Sequence, residues 1–167
     1  QFSEELGQLV LVRVTSRVCH GRGNVVLGAL PERPRPLQPV REWDRMVCVC
    51  YMHAPALEKL EAARREFETS DYNRYSGPEQ AKWLIVASGA GRLYAQEAVR
   101  RLAISEKVGL LSLGTLWPLP EDMILQYLEP AETVLVLEEV DPFLMHNLEA
   151  IAGKHRLSIS FLERSED

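Results

Sequence analysis

Residues 83–113, WLIVASGAGRLYAQEAVRRLAISEKVGLLSL, restrict the fold more than any other stretch of this chain. Trp83–Ala87 is an apolar run too short for a buried helix and rich in strand formers. Ser88-Gly89-Ala90-Gly91 interrupts it with turn residues. From Arg92 onward, Ala95, Ala98, Val99, Leu102 and Ala103 recur at helical spacing, which predicts a helix over 92–104 with one buried face. Gln96, Glu97, Arg100 and Arg101 fall on the opposite face, with Glu97 and Arg101 four residues apart as a favourable ion pair. Val108–Leu113 reads as a second strand, ended by Gly114. A strand–helix–strand unit of this length is a right-handed crossover between parallel strands.

The alternation continues downstream. Leu116–Pro120 is a stiff proline loop that opens a helix over 121–128, with Glu121 and Asp122 at its positive end and Pro130 as its stop. Thr133–Leu137 is a continuous apolar strand of the kind buried on both faces. A helix over 143–152 should end at Gly153 as its left-handed cap, and a last strand should fill 157–162. Such alternation predicts an α/β fold, a three-layer sandwich around a mostly parallel central sheet.

Upstream the pattern is irregular. Phe2–Leu6 suits a short helix closed by Gly7, Leu9–Val14 a strand, and Val25–Leu27 another short strand. Four prolines between Pro31 and Pro39 impose an extended linker over 31–44. Met46–Met52 reads as a strand or a buried strap, and Pro55 as the first-turn residue of a helix over 56–68. Residues 71–80 read as a polar break. The expected organisation is an irregular, extended N-terminal segment over 1–30, a proline-rich linker and connecting helix over 31–80, and the α/β domain over 81–167.

A net charge of −5 argues against generic binding to nucleic acid or an anionic membrane. No apolar run approaches the roughly 20 residues of a membrane span. Cys19, Cys48 and Cys50 offer neither a disulfide framework nor a C-x-x-C site, which fits a reducing, cytoplasmic compartment. A chain that begins at Gln1 rather than Met reads as a processed product or as an excised piece of something longer.

Three clusters carry chemistry-bearing residues. Ser88, Gly89 and Gly91 stand at a strand-to-helix turn, where backbone N–H groups can cradle a phosphate or where glycines simply permit a tight turn. The third glycine of a dinucleotide fingerprint is missing, and so is the Lys-Ser/Thr of a P-loop. Glu138, Glu139 and Asp141 follow a strand, at the ligand-facing end of such a sheet, and suit acid/base work, a Mg²⁺ ion, contact with a neighbouring domain or plain solvation. Thr15, Arg17 and His20 lie beyond another strand candidate, as ligand contacts or as a solvated loop. The four histidines are scattered without ligand spacing, and no G-x-S-x-G elbow occurs. The residues alone assemble neither a catalytic nor a metal site.

Four segments carry a resemblance, and the first, the strand–SGAG–helix turn at 84–91, resembles that of the C-terminal-type domain of the transketolase superfamily. SLGTLWPLP at 112–120 and VLVLEEVDPFL at 134–144 resemble stretches of indolepyruvate:ferredoxin oxidoreductase alpha subunits, within the 2-oxoacid:ferredoxin oxidoreductase family. RVTSRVCHGRGNVVLG at 13–28 is similar to the segment that closes the pyrimidine-binding thiamine domain there, with Cys19 where serine is commoner. The resemblance implies a transketolase C-terminal-like domain over 81–167 and the end of the preceding thiamine domain over 1–30. It also implies a parent enzyme that oxidatively decarboxylates aryl 2-oxoacids with thiamine diphosphate, Mg²⁺, iron–sulfur clusters and coenzyme A. That parent would work with a small beta subunit and ferredoxin. This piece would bind none of those cofactors and would scaffold the remaining domains of its subunit. Thr15, Arg17 and His20 would then be substrate-side contacts, and Glu138 and Glu139 interdomain contacts. Two alternatives stay open: the equivalent domain of another member of the transketolase superfamily, and a free-standing flavodoxin-like module for a small ligand or partner.

Overall fold

The computed structural model describes residues 2–14, 16–29 and 49–162. Among the described residues five strands form one sheet: β1 (Arg74–Ser76), β2 (Trp83–Ser88), β3 (Val108–Leu113), β4 (Thr133–Leu137) and β5 (Ser160–Leu162). Their order is β1-β3-β2-β4-β5, with β1 antiparallel to β3 and every other pair parallel. The predicted mostly parallel sheet is therefore present, and β2 lies at its centre.

Alternating side chains of the strands feed two cores. Leu84 and Val86 of β2, Leu111 and Leu113 of β3, and Val134 of β4 are buried on one face. Against them pack Ile124 and Leu128 of α5 (Glu121–Leu128) and Leu144, Leu148 and Ile151 of α6 (Phe143–Lys154). Ile85, Ala87, Leu110 and Leu137 point the other way, against Ala95 of α4 (Gly91–Leu102). These are the three layers. The α4 side is thin. Ala95 and Val99 are its buried residues, whereas Ala98 and Leu102, expected on the buried face, are exposed. Gly91 brings the start of α4 into close contact with Leu137 of β4.

The crossover helices α4 and α6 end in the same reciprocal hydrogen-bonded cap. At α4, Ala103 takes φ 51°, its N–H donates to the Arg100 carbonyl, and the Ile104 N–H donates to the Val99 carbonyl. At α6 the left-handed residue is Arg156, φ 57°, with the Leu157 N–H on the Ala152 carbonyl. Gly153, expected to be that cap, lies inside the helix instead. A C-terminal cap is set by where the last carbonyls find donors, and here they find them three residues later.

The N-terminal half departs further from expectation. The short helix α1 (Phe2–Leu6) ends at Gly7, φ 56°, as read from the sequence. Residues 9–14 and 25–27 form no strand and lie exposed. A strand exists only as part of a ladder, and neither edge of this sheet pairs with them. A single helical turn, α2 (Ser16–Cys19), follows. The long helix α3 (Val49–Glu68) begins six residues before Pro55 and carries that proline inside it. The apolar residues at 49–52, read as strand or strap, are thus helical, while 46–48 and the proline linker lie outside the described residues. The polar break contains the edge strand β1, three residues too short and too polar to register as a strand in the sequence. No helix among the described residues is long and apolar enough to cross a membrane.

Candidate functional site

β2 and β4 are neighbours whose following loops leave toward opposite faces, β2 into α4 and β4 into α6. This is the topological switch point at which open α/β sheets bind ligands, beyond the carboxyl ends of the strands. The two downstream clusters singled out in the sequence meet there. Gly91 backs directly onto β4: a Cβ at this position would stand 2.7 Å from the Leu137 carbonyl oxygen. Gly89 takes φ 54°, a conformation that side chains disfavour. Both glycines thus answer to the turn and to close packing. The Glu139 carboxylate stands 3.5 Å from where a Gly89 Cβ would be, so an anion brought to this turn meets negative charge. Ser88 is buried beneath it.

Glu138 is committed to the fold. Its carboxylate accepts the N–H groups of Leu144 at 2.7 Å and Met145 at 2.9 Å. It thereby satisfies two of the unpaired donors at the start of α6 and sits at the positive end of that helix. Glu68 of α3 does the same for α5, accepting from Asp122 N–H at 3.1 Å and Met123 N–H at 2.8 Å. The Glu139 carbonyl accepts a hydrogen bond from the Arg13 guanidinium at 3.2 Å. The N-terminal segment therefore reaches the switch point.

The loop after β3 forms the other shoulder. Buried Asn73 accepts the N–H groups of Gly114 and Thr115 through its side-chain oxygen, and donates to the Thr115 hydroxyl at 2.7 Å and the Phe67 carbonyl at 2.9 Å. This one amide ties α3, β1 and the β3 loop together. Beyond it Trp117 projects, 65% exposed, with its ring edge-to-face against Phe143 at 6.3 Å. Val140, 83% exposed, is held at φ 74°, a strained position for a β-branched residue.

A third cluster lies below the helices. The Glu121 carboxylate accepts hydrogen bonds from Lys154 at 2.6 Å and, on the same oxygen, contacts His155 at 3.2 Å, while its other oxygen lies 3.5 Å from Arg64. It links α3, α5 and the end of α6. The Lys154 hydrogen bond holds its pKa below the ordinary glutamate value, against the opposing effect of burial, with smaller help from His155 and Arg64. Arg13, Asn73, Glu68 and Glu121 were not singled out from the sequence; only the acidic first turn of α5 hinted at one of them.

Of the upstream candidates, His20 is exposed and its N–H caps the α2 turn on the Ser16 carbonyl. Thr15 and the Arg17 side chain lie outside the described residues. No cluster of three or more metal-ligating side chains occurs among the described residues.

Residues 81–162 match the family of pyruvate:ferredoxin oxidoreductase core domain II. The chain is 34% identical over 168 residues to indolepyruvate oxidoreductase subunit IorA of Pyrococcus horikoshii, an alignment that covers 95% of this chain and 26% of that one. It is 36% identical over 151 residues to the same subunit of Pyrococcus abyssi, covering 85% of this chain and 23% of that one.

The chain belongs to the 2-oxoacid:ferredoxin oxidoreductase family.

The resemblance carried by SLGTLWPLP and VLVLEEVDPFL is borne out. A 2-oxoglutarate:ferredoxin oxidoreductase from Magnetococcus marinus, solved with 2-oxoglutarate, coenzyme A and succinyl-CoA bound, shares the fold, with a TM-score of 0.54 and 19% identity. That match covers 69% of this chain and 20% of the other. The chain spans about a quarter of the length of the curated relatives it matches.

Proposed function

We propose that this chain is a non-catalytic middle domain of an indolepyruvate-type 2-oxoacid:ferredoxin oxidoreductase subunit, where it scaffolds the thiamine domains. The observation that carries this reading is the extent of the likeness. It runs over 95% of the chain, through the N-terminal stretch outside the core domain, to subunits four times as long. The use of the acidic groups agrees. Glu138 and Glu68 cap helices and Glu121 ties three helices together. The Glu139 carboxylate at the Ser88–Gly91 turn does not suit a diphosphate. We therefore assign thiamine diphosphate, Mg²⁺ and the iron–sulfur clusters to other parts of the subunit, and Gly89 and Gly91 to the packing of α4 on β4.

Residues 1–30 close the preceding thiamine domain in this reading. Thr15, Arg17 and His20 face the substrate, with the planar guanidinium of Arg17 paired to the oxoacid carboxylate. Glu139 makes the interdomain contact, through Arg13. The small beta subunit and ferredoxin complete a cytoplasmic enzyme. The test is the coding sequence on either side of residues 1–167. A diphosphate-binding motif and cluster-ligating cysteines downstream are expected. A reading frame that holds these residues alone contradicts the proposal and leaves a free-standing flavodoxin-like module.

A further inference from the structure

Two of the places where apolar residues are left uncovered are joined by one hydrogen bond. The first is the crest of the sheet, where Trp117, Val140 and Phe143 project from the β3 and β4 loops. The second is the run Leu9–Val14, in which Leu11 is 89% and Val12 78% exposed. That run has the composition of a strand covered on both faces, yet it pairs with nothing among the described residues. Arg13, in its middle, donates to the Glu139 carbonyl beside Val140. Further back, Phe2 packs edge-on against Phe67 at 5.2 Å, and Lys59 donates to the Gly7 carbonyl at 3.2 Å. The N-terminal segment thus runs along α3 and up to the crest, and its unpaired strand-forming residues arrive beside the crest's exposed side chains.

We propose that the crest of Trp117, Val140 and Phe143 is the docking face for the preceding domain of the same polypeptide, and that Leu9–Val14 is a strand of that domain's sheet. The inference rests on the reading of the chain as one domain of a longer subunit. Size favours a tethered occupant over a second copy. Three projecting side chains fall well short of the roughly 1,000 Å² that a stable interface between separate molecules needs. A covalently linked neighbour acts at an effective concentration on the order of millimolar, so a small patch suffices. An added strand would supply the ladder hydrogen bonds that residues 9–14 lack. The Arg13 contact is then the seam between the two domains, and docking there fixes where the following turn at residues 16–20 stands.

Hydrogen exchange of the full-length subunit, read by mass spectrometry, tests this. Amides of 9–14 and 138–143 are expected to exchange at least about 100-fold more slowly than unstructured chain. Trp117→Asp and Val140→Asp are each expected to speed exchange at 9–14 by about tenfold or more, while strands 83–88 and 133–137 keep their protection. Exchange of 9–14 at the unstructured rate in the unmodified subunit overturns the proposal and needs no variant. Variants that fold but leave 9–14 protected overturn it too. Protection lost on dilution assigns the crest to a second copy and overturns it equally. If oxoacid oxidation is present while 9–14 exchanges freely, only the docking falls. A reading frame confined to residues 1–167 removes both this inference and the reading beneath it.

Discussion

Glu138 and Asn73 each hold a loop at the switch point through backbone N–H groups, and their replacement tests that role one side chain at a time. Glu138→Ala strands two donors at the start of α6. It should destabilise the chain by about 1–3 kcal/mol, the range for losing charge-assisted cap bonds, read as a lowered urea midpoint with an unchanged slope. Gly91→Ala places a methyl 2.7 Å from the Leu137 carbonyl, which cannot retreat without moving β4. A loss of about 1–3 kcal/mol is expected by the same measurement. Ala103→Gly should act oppositely. The residue is exposed and left-handed, so removing its Cβ relieves strain and should raise stability by about 0.5–1 kcal/mol. An unchanged or lowered midpoint would mean that the α4 cap is not strained.

The three helices α3, α5 and α6 meet on one carboxylate, so the fold should carry a signature of acid. The pKa of Glu121 is depressed in the folded chain, chiefly by Lys154. Its contribution is therefore present above the ordinary glutamate value of 4.5 and is lost as pH falls through the lower folded value. Glu121→Gln should flatten the fall in stability below that pH; an acid limb identical to the unmodified chain would assign the loss to other groups. The elements themselves were unevenly legible. From Trp83 onward the apolar runs and helical spacings were clear, and β3, β4 and α5 stand where their side chains predict, while the last strand, expected over 157–162, forms only at Ser160–Leu162. Local pattern failed where partners decide. LVLVRV has every local mark of a strand and joins no ladder among the described residues, while Arg74–Ser76 has few and is a strand because β3 offers an edge. Pro55 marks a helix start in most sequences, but here the helix runs through it. The site was half legible. Ser88–Gly91 and Glu138–Glu139 stand out in the sequence, and topology brings them together. The side chains that organise them, Asn73 and Arg13, act across 41 and 126 residues of chain, a separation that no local motif records.

At the scale of the whole molecule, the sheet is a platform whose ligand-facing edge is occupied by its own caps and by an arginine from the segment before it. The subunit would then place its chemistry elsewhere and use this domain to hold position. In the proposed reading Arg17 serves that wider assembly. In the full-length enzyme, Arg17→Ala should raise the KM for the oxoacid or abolish turnover, and unchanged kinetics would leave residues 13–28 as a domain junction only. The most direct measurement is ferredoxin reduction driven by indolepyruvate, with thiamine diphosphate, Mg²⁺ and coenzyme A supplied, by the full-length subunit together with its small partner and by residues 1–167 alone. Turnover by the assembled enzyme and none by the isolated domain is the predicted result. Decarboxylation by residues 1–167 on their own, or an assembled enzyme that oxidises no 2-oxoacid, would contradict it.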